Sequence, residues 1–168
     1  RSSQCRPGFL SLLEAANKRP ETLSFRDIGF SIGPRINAAG RMESGLRAVE
    51  LLRSKNREVQ DILANAINDF NTVRRSTQAE IFEEAKALLD TASFPNSTVL
   101  YAPHWHKGVV GIVASKMVEH YYRPTIILTK SGEVLAGSAR SVLDFDVYDA
   151  LEACESHLLQ FGGHKYAA

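Results

Sequence analysis

The sequence predicts an α/β protein, in which a mainly parallel sheet domain follows short helices and one long connecting helix. Two observations carry that prediction. The first is a βαβ pattern in residues 98–129. Thr98-Val99-Leu100-Tyr101-Ala102 is a short apolar run with β-branched residues, the pattern of a buried strand. Gly108 opens a helix carrying Val109, Val110, Ile112, Val113, Met117 and Val118. That helix is too apolar for a solvated surface and suits packing on a sheet. Arg123-Pro124 ends it, because the residue before a proline avoids helical dihedrals. Thr125-Ile126-Ile127-Leu128-Thr129 is then a second strand, apolar throughout as a parallel strand covered on both faces should be. Crossovers of this kind are almost always right-handed.

The second observation is the helical pattern of residues 56–90. Val59, Ile62, Leu63, Ala66, Ile67, Phe70, Val73, Ile81, Ala85, Leu88 and Leu89 recur mostly at three- and four-residue steps, uninterrupted by proline or glycine. Asn56 is placed to cap the helix. At about 1.5 Å per residue it would reach about 50 Å, more than one small domain needs. We read it as a strut linking an upstream domain to the sheet domain. The expected division is therefore a helical connecting segment over 1–55, the linker helix over 56–90 and the α/β domain over 91–168.

The remaining elements follow from local signals. Pro7 and Gly8 precede Phe9, Leu10, Leu12, Leu13 and Ala16, a short helix with proline near its start. Ser24 or Thr22 caps a second short helix carrying Phe25, Ile28 and Phe30, and Gly33-Pro34 should break it. After the βαβ unit, Lys130-Ser131-Gly132-Glu133 is a turn, and residues 134–138 form a strand that should join antiparallel. Asp144 or Asp146 then caps a helix through Val147, Ala150, Leu151 and Cys154.

Composition narrows the class. The chain has 168 residues, 44% hydrophobic and 23% charged, as an ordinary globular protein does. Its net charge of +1 means that any nucleic-acid role must come from local clustering. Cys5 and Cys154 make no metal or disulfide pattern, which points to a reducing compartment. No apolar run approaches the roughly 20 residues a membrane span needs, and no signal peptide is visible, so a membrane is not expected among the partners. The chain starts on arginine and stops inside what reads as a motif, so we expect a fragment of a longer protein.

Four segments are candidates for chemistry. Gly33-Pro34-Arg35-Ile36-Asn37-Ala38-Ala39-Gly40-Arg41-Met42 sets two arginines and an asparagine among small residues that allow close backbone approach. Residues 35–57 hold Arg35, Arg41, Arg47, Arg53, Lys55 and Arg57 against Glu43 and Glu50. A solvated helix face and a phosphate-binding surface both explain that excess. His104 and His106 stand at strand spacing, but no further ligand set surrounds them; a hydrogen-bonding role fits better than a metal. Trp105 reads as packing. In Gly137-Ser138-Ala139-Arg140-Ser141 two hydroxyls flank a guanidinium at a strand end, which suits a phosphate oxygen. Gly162-Gly163-His164 is either a helix C-cap followed by an incidental histidine or a loop whose amides and imidazole converge on an anion. No nucleophile elbow, P-loop or dinucleotide fingerprint is present.

Together, GPRINAAGRM, WHKGVVGIVASKMVEHYYRPTIIL, GSARS and FGGHKYAA, in this order and spacing, resemble the RecJ family of single-stranded-DNA-specific 5′-to-3′ exonucleases. The last three resemble the DHHA1 domain of the DHH phosphoesterase superfamily. The first is similar to the segment joining the catalytic DHH domain to DHHA1. The family's Asp-His-His motif and metal-binding aspartates are not in these residues, and no OB-fold pattern appears. The family's terminal motif also runs on through another glycine. The resemblance implies a manganese or magnesium centre in an upstream DHH domain, with no cofactor in this segment, which alone should be inactive. It implies that Arg140 contacts a DNA phosphate near the scissile bond, supported by Ser138 and Ser141. Gly162, Gly163 and the catalytic His164 would form a loop facing the metal centre. Arg35, Asn37 and Arg41 would line the path of the strand or brace the domain junction. It further implies single-stranded DNA as substrate, DNA repair and recombination as setting, the cytoplasm as location, and a single-strand-binding protein or a helicase as partner. Two rivals are a superfamily phosphodiesterase acting on oligonucleotides or cyclic dinucleotides, and a non-catalytic nucleic-acid-binding module.

Overall fold

A computed structural model describes residues 5–90 and 96–168. The chain divides into two compact units, residues 1–76 and 77–168, and the division falls within one long helix. The expected domain edge at residue 91 lies outside the described residues.

In the first unit, α1 (Pro7–Ala15) begins on a proline, whose missing N–H is no loss in a first turn. The three-residue α2 (Phe25–Asp27) opens with a reciprocal cap. The Asp27 amide donates to Ser24 Oγ at 3.2 Å and the Ser24 amide to Asp27 Oδ2 at 3.0 Å. Lys18, 2.6 Å from Asp27 Oδ1, and the two groups of Ser24 hold that carboxyl far below its usual range.

Gly33-Pro34 does not break the helical path. A π turn over Ile28–Ile32 leads directly into α3 (Gly33–Met42), with the Gly33 amide bonded to the Ile28 carbonyl. The wider turn accommodates Pro34, which has no amide to donate to the turn before it. The segment GPRINAAGRM is therefore helical, with Ala38 and Ala39 buried. Phe25 and Phe30 of the preceding stretch are 93% and 82% exposed, so they do not serve as core of a short helix. The core of this unit gathers Leu12, Leu13, Ile32, Ala39, Leu51, Leu63 and Ile67, with Leu51 supplied by α4 (Leu46–Arg53).

The long helix, α5 (Arg57–Asp90), is continuous over 34 residues, as its periodicity predicts. Asn56 caps it: Oδ1 accepts from the amides of Glu58 at 2.9 Å and Val59 at 3.3 Å.

In the second unit, β1 (Thr98–Tyr101) pairs parallel with β2 (Thr125–Ser131), and β2 pairs antiparallel with β3 (Val134–Arg140). The sheet is thus mixed, in the order β1-β2-β3. The crossover helix α6 (Lys107–Tyr121) packs on β2 and β3, burying Val109, Val110, Val113 and Met117. It ends at Tyr122, which takes a left-handed conformation just before Arg123-Pro124. Ile126 and Leu128, on the opposite face of β2, are only half-buried, and Val99, Tyr101 and Leu135 are exposed. Within this chain the apolar run of β2 is covered fully on one face. A short helix, α7 (Val147–Glu152), follows, with Asp146 as its cap.

Candidate functional site

Arg140 and Ser138 occupy the last positions of β3. Their register, opposite Thr125 and Ile127, places both on one face of the sheet. Gly111 of α6 lies over them. A Cβ at Gly111 would stand 2.9 Å from Ser138 Oγ and 3.2 Å from Arg140 Nη2, so the bare backbone makes room for the guanidinium beneath the helix. Arg140 Nη1 donates to the Ala139 carbonyl at 2.7 Å. Half-buried and held from two sides, the guanidinium is preorganised as a planar fork. Sequence reading missed Gly111; the available signal was a glycine inside the helix, past its first turn, among apolar residues.

The C-terminal residues fold back onto this strand end. The His164 amide donates to the Ala167 carbonyl at 2.8 Å, and the Ala167 amide returns a bond to the His164 carbonyl at 3.0 Å. Lys165 and Tyr166 form the turn between them. Residues beyond the turn pair antiparallel with β3. The Ser141 amide donates to the Tyr166 carbonyl at 3.1 Å, while Ala168 and Ala139 exchange bonds of 3.1 and 2.6 Å. The Val147 amide, at the start of α7, donates to the Lys165 carbonyl at 3.0 Å and pins the turn from the other side. Ala167 thus bridges both Arg140 and His164.

Gly163 makes this arrangement possible. Its φ is 152°, and a Cβ there would lie 2.3 Å from the Ala167 carbonyl oxygen and 2.5 Å from Ala168 Cα. Gly162, Gly163 and His164 are all exposed, so the loop faces solvent. The His164 Nδ1 accepts a long bond, 3.4 Å, from the Tyr166 amide. In the neutral ring that leaves the proton on Nε2, a donor suited to an anionic oxygen.

The structure therefore brings Arg140, Ser138 and the Gly162-Gly163-His164 loop together. Ser141 is close in sequence, but its hydroxyl donates to the Phe145 carbonyl at 2.8 Å and closes the turn that carries Asp144 at a φ of 66°. Its backbone anchors the C-terminal strand. Arg35, Asn37 and Arg41 lie on α3, in the other unit. Arg35 Nε donates to Asn68 Oδ1 at 3.0 Å and its Nη1 to the Ser31 carbonyl at 2.8 Å, so it ties α3 to α5. Asn37 and Arg41 are exposed.

His104 and His106, before α6, have local hydrogen-bonding tasks. His106 Nδ1 caps α6 by accepting from the Gly108 amide at 3.1 Å. His104 Nε2 lies 2.7 Å from Glu84 Oε2, which also accepts from the Trp105 indole at 2.8 Å. The Trp105 bond first, and His104 second, hold the Glu84 carboxyl below its usual range. Trp105 itself is core, 3% exposed.

Among the described residues no three His, Cys, Asp or Glu side chains converge on one point. Nor does the strand-end cluster contain a carboxylate or thiolate. Its donors, a guanidinium, an imidazole and open backbone, are the donors of an oxyanion site rather than of a metal centre.

Residues 96–168 match the DHHA1 domain family. The whole chain is 38% identical, over 178 aligned positions, to the single-stranded-DNA-specific exonuclease RecJ of Escherichia coli, of which it covers 31%. It is 39% identical to the protein of that name from Haemophilus influenzae, again over all of this chain and 31% of that one. The crystal structure of RecJ in complex with Mg2+ from Thermus thermophilus superposes with a TM-score of 0.84 at 28% identity, over 98% of this chain and 25% of that one. The chain thus spans about a third of the length of the curated relatives it matches. With the glycine-histidine loop folded onto the arginine of β3, residues 96–168 form a DHHA1 domain and the chain belongs to the RecJ family.

Proposed function

We propose that this chain is the substrate-positioning part of a single-stranded-DNA-specific 5′-to-3′ exonuclease. The observation that carries the reading is the pairing of the C-terminal residues with β3, which holds the His164 loop beside Arg140. Arg140 binds a phosphate oxygen with its planar fork, and Ser138, beside it, offers a hydroxyl. His164 Nε2 donates to an oxygen on which negative charge grows as the phosphodiester breaks. Gly162 and Gly163 keep the approach free of side chains. Manganese or magnesium ions, which residues outside this chain would hold, would supply the positive charge that activates water and stabilises the leaving oxygen. The residues of this chain bind, orient and neutralise; none of them is placed as nucleophile or base. Arg35, Asn37 and Arg41 serve the same substrate from α3, Arg35 by bracing and the other two by lining the path of the strand. Repair and recombination of DNA in the cytoplasm, beside a single-strand-binding protein or a helicase, is the setting that goes with this activity.

The test is the salt dependence of binding to a labelled oligothymidylate by the full-length protein, without metal. Each phosphate contact on a single strand contributes a log–log slope of about 0.7. Arg140→Ala should lower the slope by about that amount while the melting temperature holds. An unchanged slope and affinity would assign Arg140 to structure alone.

A further inference from the structure

The turn that folds His164 onto β3 also presents Lys165 and Tyr166, which stand at its tip between the paired residues His164 and Ala167. Lys165 is exposed and Tyr166 is 42% exposed. Their backbone is held from two sides. The Lys165 carbonyl accepts from the Val147 amide at 3.0 Å, and the Tyr166 carbonyl from the Ser141 amide at 3.1 Å. The tip is therefore a fixed platform whose side chains reach into water.

Tyr166 serves both of its neighbours. Its amide donates to His164 Nδ1 at 3.4 Å, and its ring centroid lies 5.6 Å from Lys165 Nζ. A ring at that range attracts an ammonium group and gives a flexible lysine a preferred direction. It does so without cancelling the charge. Among the described residues no carboxylate forms an ion pair with Lys165. Asp146, just before Val147, has its Oδ1 committed to the amides of Tyr148 and Asp149 at 2.9 and 3.2 Å. Lys165 therefore brings a positive charge to the residue next to His164, with about 3.8 Å between their α-carbons. The register sets the direction of each group. Ala167 bridges Arg140 and His164, so these three share one face, while Tyr166, opposite Ser141, belongs to the other. The tip joins the two faces.

We propose that Lys165 binds the backbone phosphate next to the one held by Arg140 and His164, with Tyr166 as its positioning residue. This rests on the reading of the protein as a single-strand nuclease given above. A single strand carries its phosphates in a continuous row, so a strand with one phosphate at Arg140 brings the adjacent one past the tip of the turn. The two cations suit their tasks. The planar fork of Arg140 fixes the geometry of a reacting group, whereas a lysine is a point charge that tolerates a mobile one. The adjacent phosphate has the same charge before and during bond breaking. Lys165 therefore binds ground state and transition state alike, and sets affinity rather than rate.

The experiment uses the full-length protein and a labelled oligothymidylate, with affinity measured across a salt series in metal-free buffer and single-turnover cleavage measured with manganese. Lys165→Gln should lower the log–log slope by about 0.7, one contact on a single strand, and weaken binding about fivefold at roughly 0.1 M salt. Lys165→Arg should keep the parent slope, because the charge is kept. At saturating strand Lys165→Gln should cleave at the parent rate, with only the half-saturating concentration raised. Tyr166→Leu should weaken binding and Tyr166→Phe, which keeps the ring, should restore it. In the Lys165→Gln background Tyr166→Leu should add nothing. An unchanged slope and affinity in Lys165→Gln would make the lysine an ordinary solvated side chain and overturn the site. A lowered maximal rate would place Lys165 on the reacting phosphate and overturn the assignment to its neighbour. A further loss from Tyr166→Leu in the Lys165→Gln background would overturn the positioning role of the ring. Arg140→Gln, run in parallel, separates the two readings. A slope that falls in Arg140→Gln but not in Lys165→Gln rejects the Lys165 contact alone, and no change in either rejects the strand-end site as well.

Discussion

Gly163 sets the geometry of the strand-end site more than any side chain does. At a φ of 152°, with the Ala167 carbonyl 2.3 Å from where a Cβ would stand, it admits no other residue without a shift of the C-terminal turn. Gly163→Ala should therefore cost about 1–3 kcal/mol locally. It should free the His164 loop from β3 before it unfolds the domain. Hydrogen exchange at the amides of His164, Ala167 and Ala168 measures this directly, and the expected result is faster exchange there with protection retained in β2. The identity of Arg140 and His164 as candidates was legible in the sequence, because their residue types and glycine neighbours point to anion binding. Gly111 was not, since a glycine in a helical pattern does not say what lies above it. Ser141 illustrates the converse: its hydroxyl sits in the right motif but is consumed by the Phe145 carbonyl.

At the scale of elements, most of the structure follows from periodicity and caps. Asn56, Asp146 and the proline of α1 stand where helix-start signals place them. The exception is Gly33-Pro34, a breaker in sequence that a π turn accommodates, and a turn of that kind has no signature in local composition. A less visible tie is the Glu84 carboxylate, which joins α5 to the segment after β1 through Trp105 and His104. Its pKa is depressed in the fold, so its contribution is present above the unfolded value of about 4.3 and is lost as pH falls through the lowered one. Glu84→Gln should lower stability at neutral pH by about 1 kcal/mol, below the roughly 1.5–3 kcal/mol of a charged acceptor because the group is half in water. In a chain of this size that is about 2–4 °C in Tm. The gap between parent and variant should close in acid; a gap independent of pH would mean that packing, not charge, is what the carboxylate supplies.

For the whole molecule, what could be read from the sequence was the architecture and the motifs, while the juxtapositions came from folding. Arg35 of α3 and its partner Asn68 of α5 are 33 positions apart, and no local pattern connects them. The strand-end site depends on a C-terminal turn that only the register with β3 reveals. The division of labour also yields a prediction: the 168-residue chain alone, given manganese and labelled single-stranded DNA, should release no nucleotides. Processive digestion would place the reactive centre within these residues. The central claim, that His164 donates to charge developing at the phosphate, is tested most directly by His164→Ala in the full-length protein. Single-turnover cleavage, oligonucleotide affinity and melting temperature should be measured on the same preparation. Loss of one preorganised donor costs a factor of about 10²–10³ in rate. The account predicts cleavage slowed by that factor with affinity and melting temperature nearly unchanged. Cleavage near the parent rate, or slowed only in step with a lower melting temperature, would contradict it.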